Sequence, residues 1–95
     1  MTMKVVDKPW GREDWLVVGD RIAMKRLVVF AGKRFSLQYH ERKEEAWLFV
    51  RGSALVTIGE TKQVSKAGDV IHLRPKTIHR IEAIDETEFI EVSTP

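Results

Sequence analysis

Turn-forming residues recur along this chain at short, even intervals, and the stretches between them are β-branched and aromatic. Gly19-Asp20, Ala31-Gly32-Lys33, Arg51-Gly52-Ser53, Gly59-Glu60, Ala67-Gly68-Asp69 and Pro75-Lys76 each supply a tight turn or a positive φ. They bound candidate strands at 15–18, 22–30, 35–40, 46–50, 54–58, 62–64, 70–73, 77–83 and 88–92. Strands spaced by about 8–12 residues, with no helical periodicity, predict an all-β sandwich or closed barrel. The 95 residues suffice for one core and therefore one domain, residues 1–95.

Alternation assigns the side chains to faces. In 35–40, Ser36, Gln38 and His40 share one face, and Leu37 and Tyr39 the other. In the next segment Glu45, Trp47 and Phe49 lie together, opposite Ala46, Leu48 and Val50. Thr77, His79 and Ile81 lie together, opposite Ile78, Arg80 and Glu82. Both faces around Trp47 to Val50 are apolar, so both need a cover. In a small barrel a partner subunit often supplies the outer one, which predicts a homodimer.

Sixteen Lys and Arg against fourteen Asp and Glu leave a formal charge of +2. The two signs interleave, as in Glu41-Arg42-Lys43-Glu44-Glu45. That is the pattern of a solvated surface and not the one-sided basic face of a nucleic-acid binder. A local phosphate pocket can still assemble from Lys25, Lys33, Arg34, Arg42 and Lys43. The chain has no cysteine, which removes disulfides, thiolate metal sites and thiol nucleophiles. No stretch approaches the ~20 apolar residues of a membrane span, and Met1 to Trp10 lacks a signal-peptide core. The expectation is a cytoplasmic protein that engages neither membrane nor nucleic acid.

Four residues suggest chemistry. Gln38 and His40, two apart on a strand, project to one side with Cα atoms about 6.5 Å apart and can reach a single ion. Glu45 follows after a four-residue connection suited to a hairpin, and His79 can close the site from across a barrel. Singly, each has an ordinary explanation, such as a hydrogen-bonded core His or a surface Glu. Together, with turn glycines before and after each group, they predict a site for one divalent metal ion. Nitrogen and oxygen ligands without sulfur suit zinc, manganese, iron(II), cobalt or nickel. Water can occupy the remaining positions and yield to substrate.

The stretch from Gly32 through Gln38-Tyr39-His40 and Glu45 to Gly52 resembles the first cupin motif, and Gly68-Asp69 through Pro75 to His79 resembles the second. The resemblance implies a small double-stranded β-helix, a jelly-roll-like barrel whose motifs carry the metal ligands. Lys8-Pro9-Trp10-Gly11, Lys25 to Val29, Ser36 to His40, Glu45-Ala46-Trp47, Thr77 to Arg80 and Ile90-Glu91-Val92 resemble the C-terminal isomerase domain of type II mannose-6-phosphate isomerases. That likeness makes Gln38 a ligand in place of the first cupin His. Gln-His-Glu-His is also the zinc set of the other isomerase class, which implies zinc here. Three departures stand out. Lys43 fills a slot usually held by Arg, Arg74 and Lys76 replace Pro and Gly, and the sequence ends at Pro95, where the family runs on into an acidic segment ending in Arg. The companion nucleotidyltransferase domain is also missing from these residues. These departures lead to an expectation of slow mannose 6-phosphate turnover, or of a different sugar.

The implied reaction is aldose–ketose isomerisation of a small sugar phosphate. Lys25, on one strand face with Leu27 and Val29, and Lys43 at the mouth are candidates to hold the phosphate. His72 is a candidate proton carrier, unless it is a wall or surface residue of its strand. Trp10, Trp15 and Trp47 suggest either a stacking wall for sugar or core and dimer contacts, the second reading being preferred for Trp15. Two other classes fit the same ligands: a non-catalytic sugar- or metal-binding module, and a metal-dependent cupin oxygenase.

Overall fold

Gly32, Gly52, Gly59 and Gly68 all take positive φ, and Lys76, directly after Pro75, does so at 65°. The turns therefore fall where the sequence marks them. The computed structural model describes residues 4–35 and 37–94. Its regular elements are nine strands: β1 (Lys4–Lys8), β2 (Gly11–Val18), β3 (Ala23–Val29), β4 (Glu45–Arg51), β5 (Ser53–Ile58), β6 (Thr61–Lys66), β7 (Val70–Leu73), β8 (His79–Ala83) and β9 (Thr87–Ser93).

They form two antiparallel sheets and not one closed sheet. The larger has the order β1-β2-β3-β9-β4-β7, and the smaller has the order β6-β5-β8. Twist brings such sheets face to face, with inward side chains from both filling the space between. The large sheet contributes Leu27, Val29, Trp47, Phe49, Ile71, Leu73 and Phe89. The small sheet answers with Ala54, Val56, Ile81 and Ala83, and Phe35 fills one side. Trp47 sits at the centre, its ring centroid 4.9 Å from Phe89 and 6.1 Å from Phe35.

Two segments depart from the sequence expectation. Residues 35–40 are not a regular strand. Isolated bridges, Arg34 with Glu82 and Gln38 with His79, pin the stretch alongside β8. Phe35 is buried and Leu37 is exposed, although a continuous strand would put both on one face. Ser36, expected beside Gln38, lies outside the described residues. At the other end, Lys4–Lys8 forms an unforeseen edge strand that pairs only with β2. Its charged ends and short length suit an edge and hide it from a search for apolar alternation.

The register arranges the inward face of the large sheet in rows. Phe49, Phe89, Leu27 and Glu13 lie side by side, then Trp47, Glu91, Lys25 and Trp15, then Glu45, Ser93 and Ala23. The rows pass from apolar to polar toward one end, and that end holds the candidate site. The outer face, by contrast, carries Ala46, Leu48, Ile90, Val92 and Val70.

Gly52 joins the two sheets and turns tightly against a neighbouring backbone. Its φ is 86°, and a Cβ there would lie 2.2 Å from the Glu86 carbonyl oxygen and 2.8 Å from Thr87 Cα. Thr87 Oγ1 lies 2.9 Å from both the Ser53 and Asp85 carbonyls, which holds that backbone in place. Gly52→Ala is expected to cost about 2–5 kcal/mol, from backbone strain and overpacking together. Gly59 has φ 59°, and a Cβ there would meet nothing within 4 Å, so Gly59→Ala should cost only about 1–2 kcal/mol. Urea denaturation of both variants checks this, and equal losses would refute the close-approach argument.

Candidate metal centre

Glu45 opens β4 with its side chain inward and 2% exposed, a carboxylate taken almost wholly out of water. Two imidazoles face it. Nε2 of His40 lies 3.4 Å from Oε2 of Glu45, and Nε2 of His79 lies 3.3 Å from the same oxygen. The candidate ligand atoms of the three residues all lie within 4.8 Å of one another. The other carboxylate oxygen, Oε1, accepts from Trp47 Nε1 at 3.3 Å.

The tautomer of His79 carries much of the argument. Its Nδ1 lies 3.0 Å from the Thr77 carbonyl, an acceptor, so Nδ1 carries a proton and Nε2 is the nitrogen left to face Glu45. The contact is close but poorly directed for a hydrogen bond, and both Nε2 of His79 and Oε2 of Glu45 are buried without a partner. Buried polar atoms are rarely left so. A divalent cation between them would satisfy both, and the residues present fit one.

The protonation states agree with ligation. Burial pushes His40 below the usual imidazole value, with help from Lys43 and His79, although Glu45 opposes it. Burial pushes Glu45 up, but His79, the proton on Glu91 and the Lys43 charge together hold its carboxyl well below the usual range. Glu91 moves the other way, raised by burial and then by Glu45 beside it. The pair therefore comprises one carboxylate and one neutral acid.

Gln38 joins by backbone and by position. Its N–H donates to the His79 carbonyl and its carbonyl accepts from the His79 N–H, both at 2.9 Å. With His40 it lines a cavity of about 140 Å³ whose wall includes Trp10, Lys25 and Lys43. All four expected ligand residues thus converge on one end of the sandwich. The three with His or carboxylate donors form the tight cluster, and Gln38 stands beside them.

Lys25 and Lys43 also reach this cavity, as expected. His72 does not. It alternates with the buried Ile71 and Leu73 on β7, so strand parity turns it to the outer face, where it is half exposed and contacts Glu44. Trp47 is core, Trp10 is cavity wall, and Trp15 is half-buried between Lys4 and Lys25 and is not a core residue. Sequence reasoning missed Glu13 and Glu91, which line the cavity too. Glu91 was hard to see because β9 alternates Phe89 and Glu91 with Ile90 and Val92, and the second pair looks the better core face.

The match to known proteins covers the whole described fold. Residues 1–94 match the family described as mannose-6-phosphate isomerase C-terminal. The chain belongs to this family. It is 31% identical over 91 residues to mannose-1-phosphate guanylyltransferase 2 of Escherichia coli O157:H7, spanning 94% of this chain and 19% of that protein. It is 43% identical over 58 residues to a mannose-1-phosphate guanylyltransferase of Salmonella typhimurium, spanning 60% of this chain and 12% of that protein. The chain thus spans less than a fifth of the length of these relatives. Among solved structures, KdgF from Halomonas sp. superposes with a TM-score of 0.90 at 18% identity, covering 97% of this chain and 86% of that one. An RmlC-like cupin from Shewanella frigidimarina also gives 0.90 at 18% identity, covering 97% and 83%. The fold of this isomerase-family domain is that of the cupins.

The purified domain is expected to bind close to one divalent ion per chain, read by elemental analysis. His40→Ala and His79→Ala should each lose most of it, while Gln38→Ala loses less because a neutral amide oxygen is the weaker ligand. Metal at a hundred times its dissociation constant should add about 2.7 kcal/mol of stability, visible as a higher Tm. Full metal occupancy in the His40/His79 double variant would remove the assignment.

Proposed function

We propose that this domain is a metal-dependent sugar-phosphate isomerase-like cupin that interconverts an aldose and a ketose. One observation carries the reading: His79 Nε2 and Glu45 Oε2 face each other at 3.3 Å, both buried and without a hydrogen-bond partner. A divalent cation held between them would satisfy both. Membership in the isomerase family supports the reaction class, and zinc is the first ion to test.

Aldose–ketose isomerisation shifts a proton between adjacent carbons through an enediol. A divalent ion held by Gln38, His40, Glu45 and His79 would polarise the substrate's carbonyl and hydroxyl oxygens. The chain's own groups then have separate tasks. Lys25 and Lys43 present ammonium donors from the cavity wall, suited to an anionic group on the substrate. Glu91, kept neutral, holds a proton on its carboxyl beside the metal set, and Glu13 adds a second carboxyl across the cavity. Leu27 and Phe35 close the apolar side and limit access of water.

The outer face of the large sheet suggests a second copy of the chain as partner. Leu48 and Val70 are 45% and 67% exposed and pair with each other on one surface, with Ile90 beside Leu48 in register. Exposed apolar surface of this kind is commonly covered by association. An isologous dimer would bury it on both copies and leave the metal end of each open.

Two measurements follow. With zinc, manganese, cobalt or iron(II) supplied, a coupled assay is expected to show mannose 6-phosphate and fructose 6-phosphate interconverting. Glu45→Gln should abolish that turnover, and an active metal-free protein would contradict the mechanism. Tight sugar-phosphate binding without turnover under any metal would favour a binding module instead. Light scattering should give a dimer, and Leu48→Lys should give monomers with metal content unchanged. A monomeric unmodified protein would count against the proposed partner.

A further inference from the structure

We propose that a second cavity, beside the metal centre and behind Lys25 and Lys43, is the subsite for the substrate's phosphate group. The proposal rests on the sugar-phosphate reading above and adds where the anionic end sits. The metal-centre cavity is small, about 140 Å³. A neighbouring cavity of about 190 Å³ is lined by Trp15, Ala23, Ser93 and Thr94, with Lys25 and Lys43 shared between the two. Together they reach the lower end of the roughly 300–1,000 Å³ typical of small-molecule sites.

The charges of the two cavities differ. Two carboxyl groups, Glu13 and the neutral Glu91, line the first, and neither has a donor to spare for an anion as an ammonium has. No carboxylate lines the second among the described residues, only the two ammonium groups and two hydroxyls besides apolar and glycine surface. Both lysines keep their donors free. Lys25 Nζ stands 3.8 Å from Glu13 and Lys43 Nζ stands 3.9 Å from Glu91, both beyond hydrogen-bonding distance. An ammonium carries three donors, so each can bond a phosphate oxygen while staying near its carboxylate.

Ser93 supplies the independent sign of a ligand. It occupies the inward row between Glu45 and Ala23, is 4% exposed, and its Oγ has no hydrogen-bond partner. A hydroxyl buried at a cavity wall without a partner is costly unless something arrives to accept its proton. Thr94 stands next to it. Its Oγ1 accepts from the Glu44 N–H at 2.9 Å, which leaves its own proton to donate. Two ammonium groups and two hydroxyls around an apolar floor offer four donor groups to the oxygens of a phosphate monoester.

The test uses the full chain loaded with metal and calorimetric titration with fructose 6-phosphate, fructose and inorganic phosphate. Lys25→Gln should weaken the ester and inorganic phosphate about tenfold or more while leaving free fructose unchanged. Ser93→Ala should weaken the same two ligands by a smaller factor, and Lys25→Arg should recover part of the loss. Metal content equal to the unmodified protein certifies that each variant is folded. The Lys25→Gln effect on inorganic phosphate should persist after metal is stripped, which separates the subsite from phosphate bound directly to the ion. Equal weakening of ester and free sugar, or no weakening in any folded variant, would overturn the proposal. Absence of isomerase turnover together with Lys25- and Ser93-dependent ester binding would sink the reaction and keep the subsite. Normal turnover with an unchanged KM in Lys25→Gln would sink the subsite and keep the reaction.

Discussion

A carboxylate that has left water dictates the arrangement around it. Glu45 is nearly fully buried, and an ion in that position costs several kcal/mol unless its surroundings compensate. Every polar neighbour can be understood through that requirement. Trp47 donates to one oxygen, while two imidazole nitrogens approach the other. Glu91, one row deeper on β9, keeps its proton because it is itself buried and because a second negative charge beside the first would be still more costly. The donor set that Glu45 forms with the two histidines is of the kind that holds a divalent cation.

The sandwich can support this arrangement because core and site share one surface. Register places Phe49, Phe89 and Leu27 in one inward row and Glu45 and Ser93 two rows away, so the same strands that bury the core also aim the ligands. His79 is held from the opposite side by β8, its ring 5.6 Å from that of Trp47. Ligands on strands are positioned more firmly than ligands on loops, and only His40 lacks a strand of its own among the three clustered ligands. The backbone pair between Gln38 and His79 makes up for this by tying the segment before His40 to β8.

The two lysines divide the polar end by charge. On one side of them lie carboxyl groups and the metal ligands; on the other lie hydroxyls and an indole face. A substrate with an oxygen-rich reacting end and an anionic tail would match that division. The apolar outer face of the same sheet stays apart from both cavities, since strand parity keeps the two faces separate.

Much of this was legible in the sequence, for local reasons. Turn chemistry set most strand boundaries, and alternation set the inward faces of β4 and β8, hence the directions of Glu45, Trp47 and His79. Spacing brought Gln38 and His40 to one side even though their segment is not a regular strand, because extended backbone keeps its parity without a ladder. Other features waited on tertiary structure. Whether Glu91 or Ile90 faces the core depends on which face of the large sheet is covered, and β9 alone is compatible with either. His72 was excluded by the phase of β7 relative to its neighbours. Ser93, Trp15 and Thr94 come together only because β2, β3 and β9 pair in one register. A strand's own residues decide what it can bury; only its pairing decides which residues from far along the chain share the cavity.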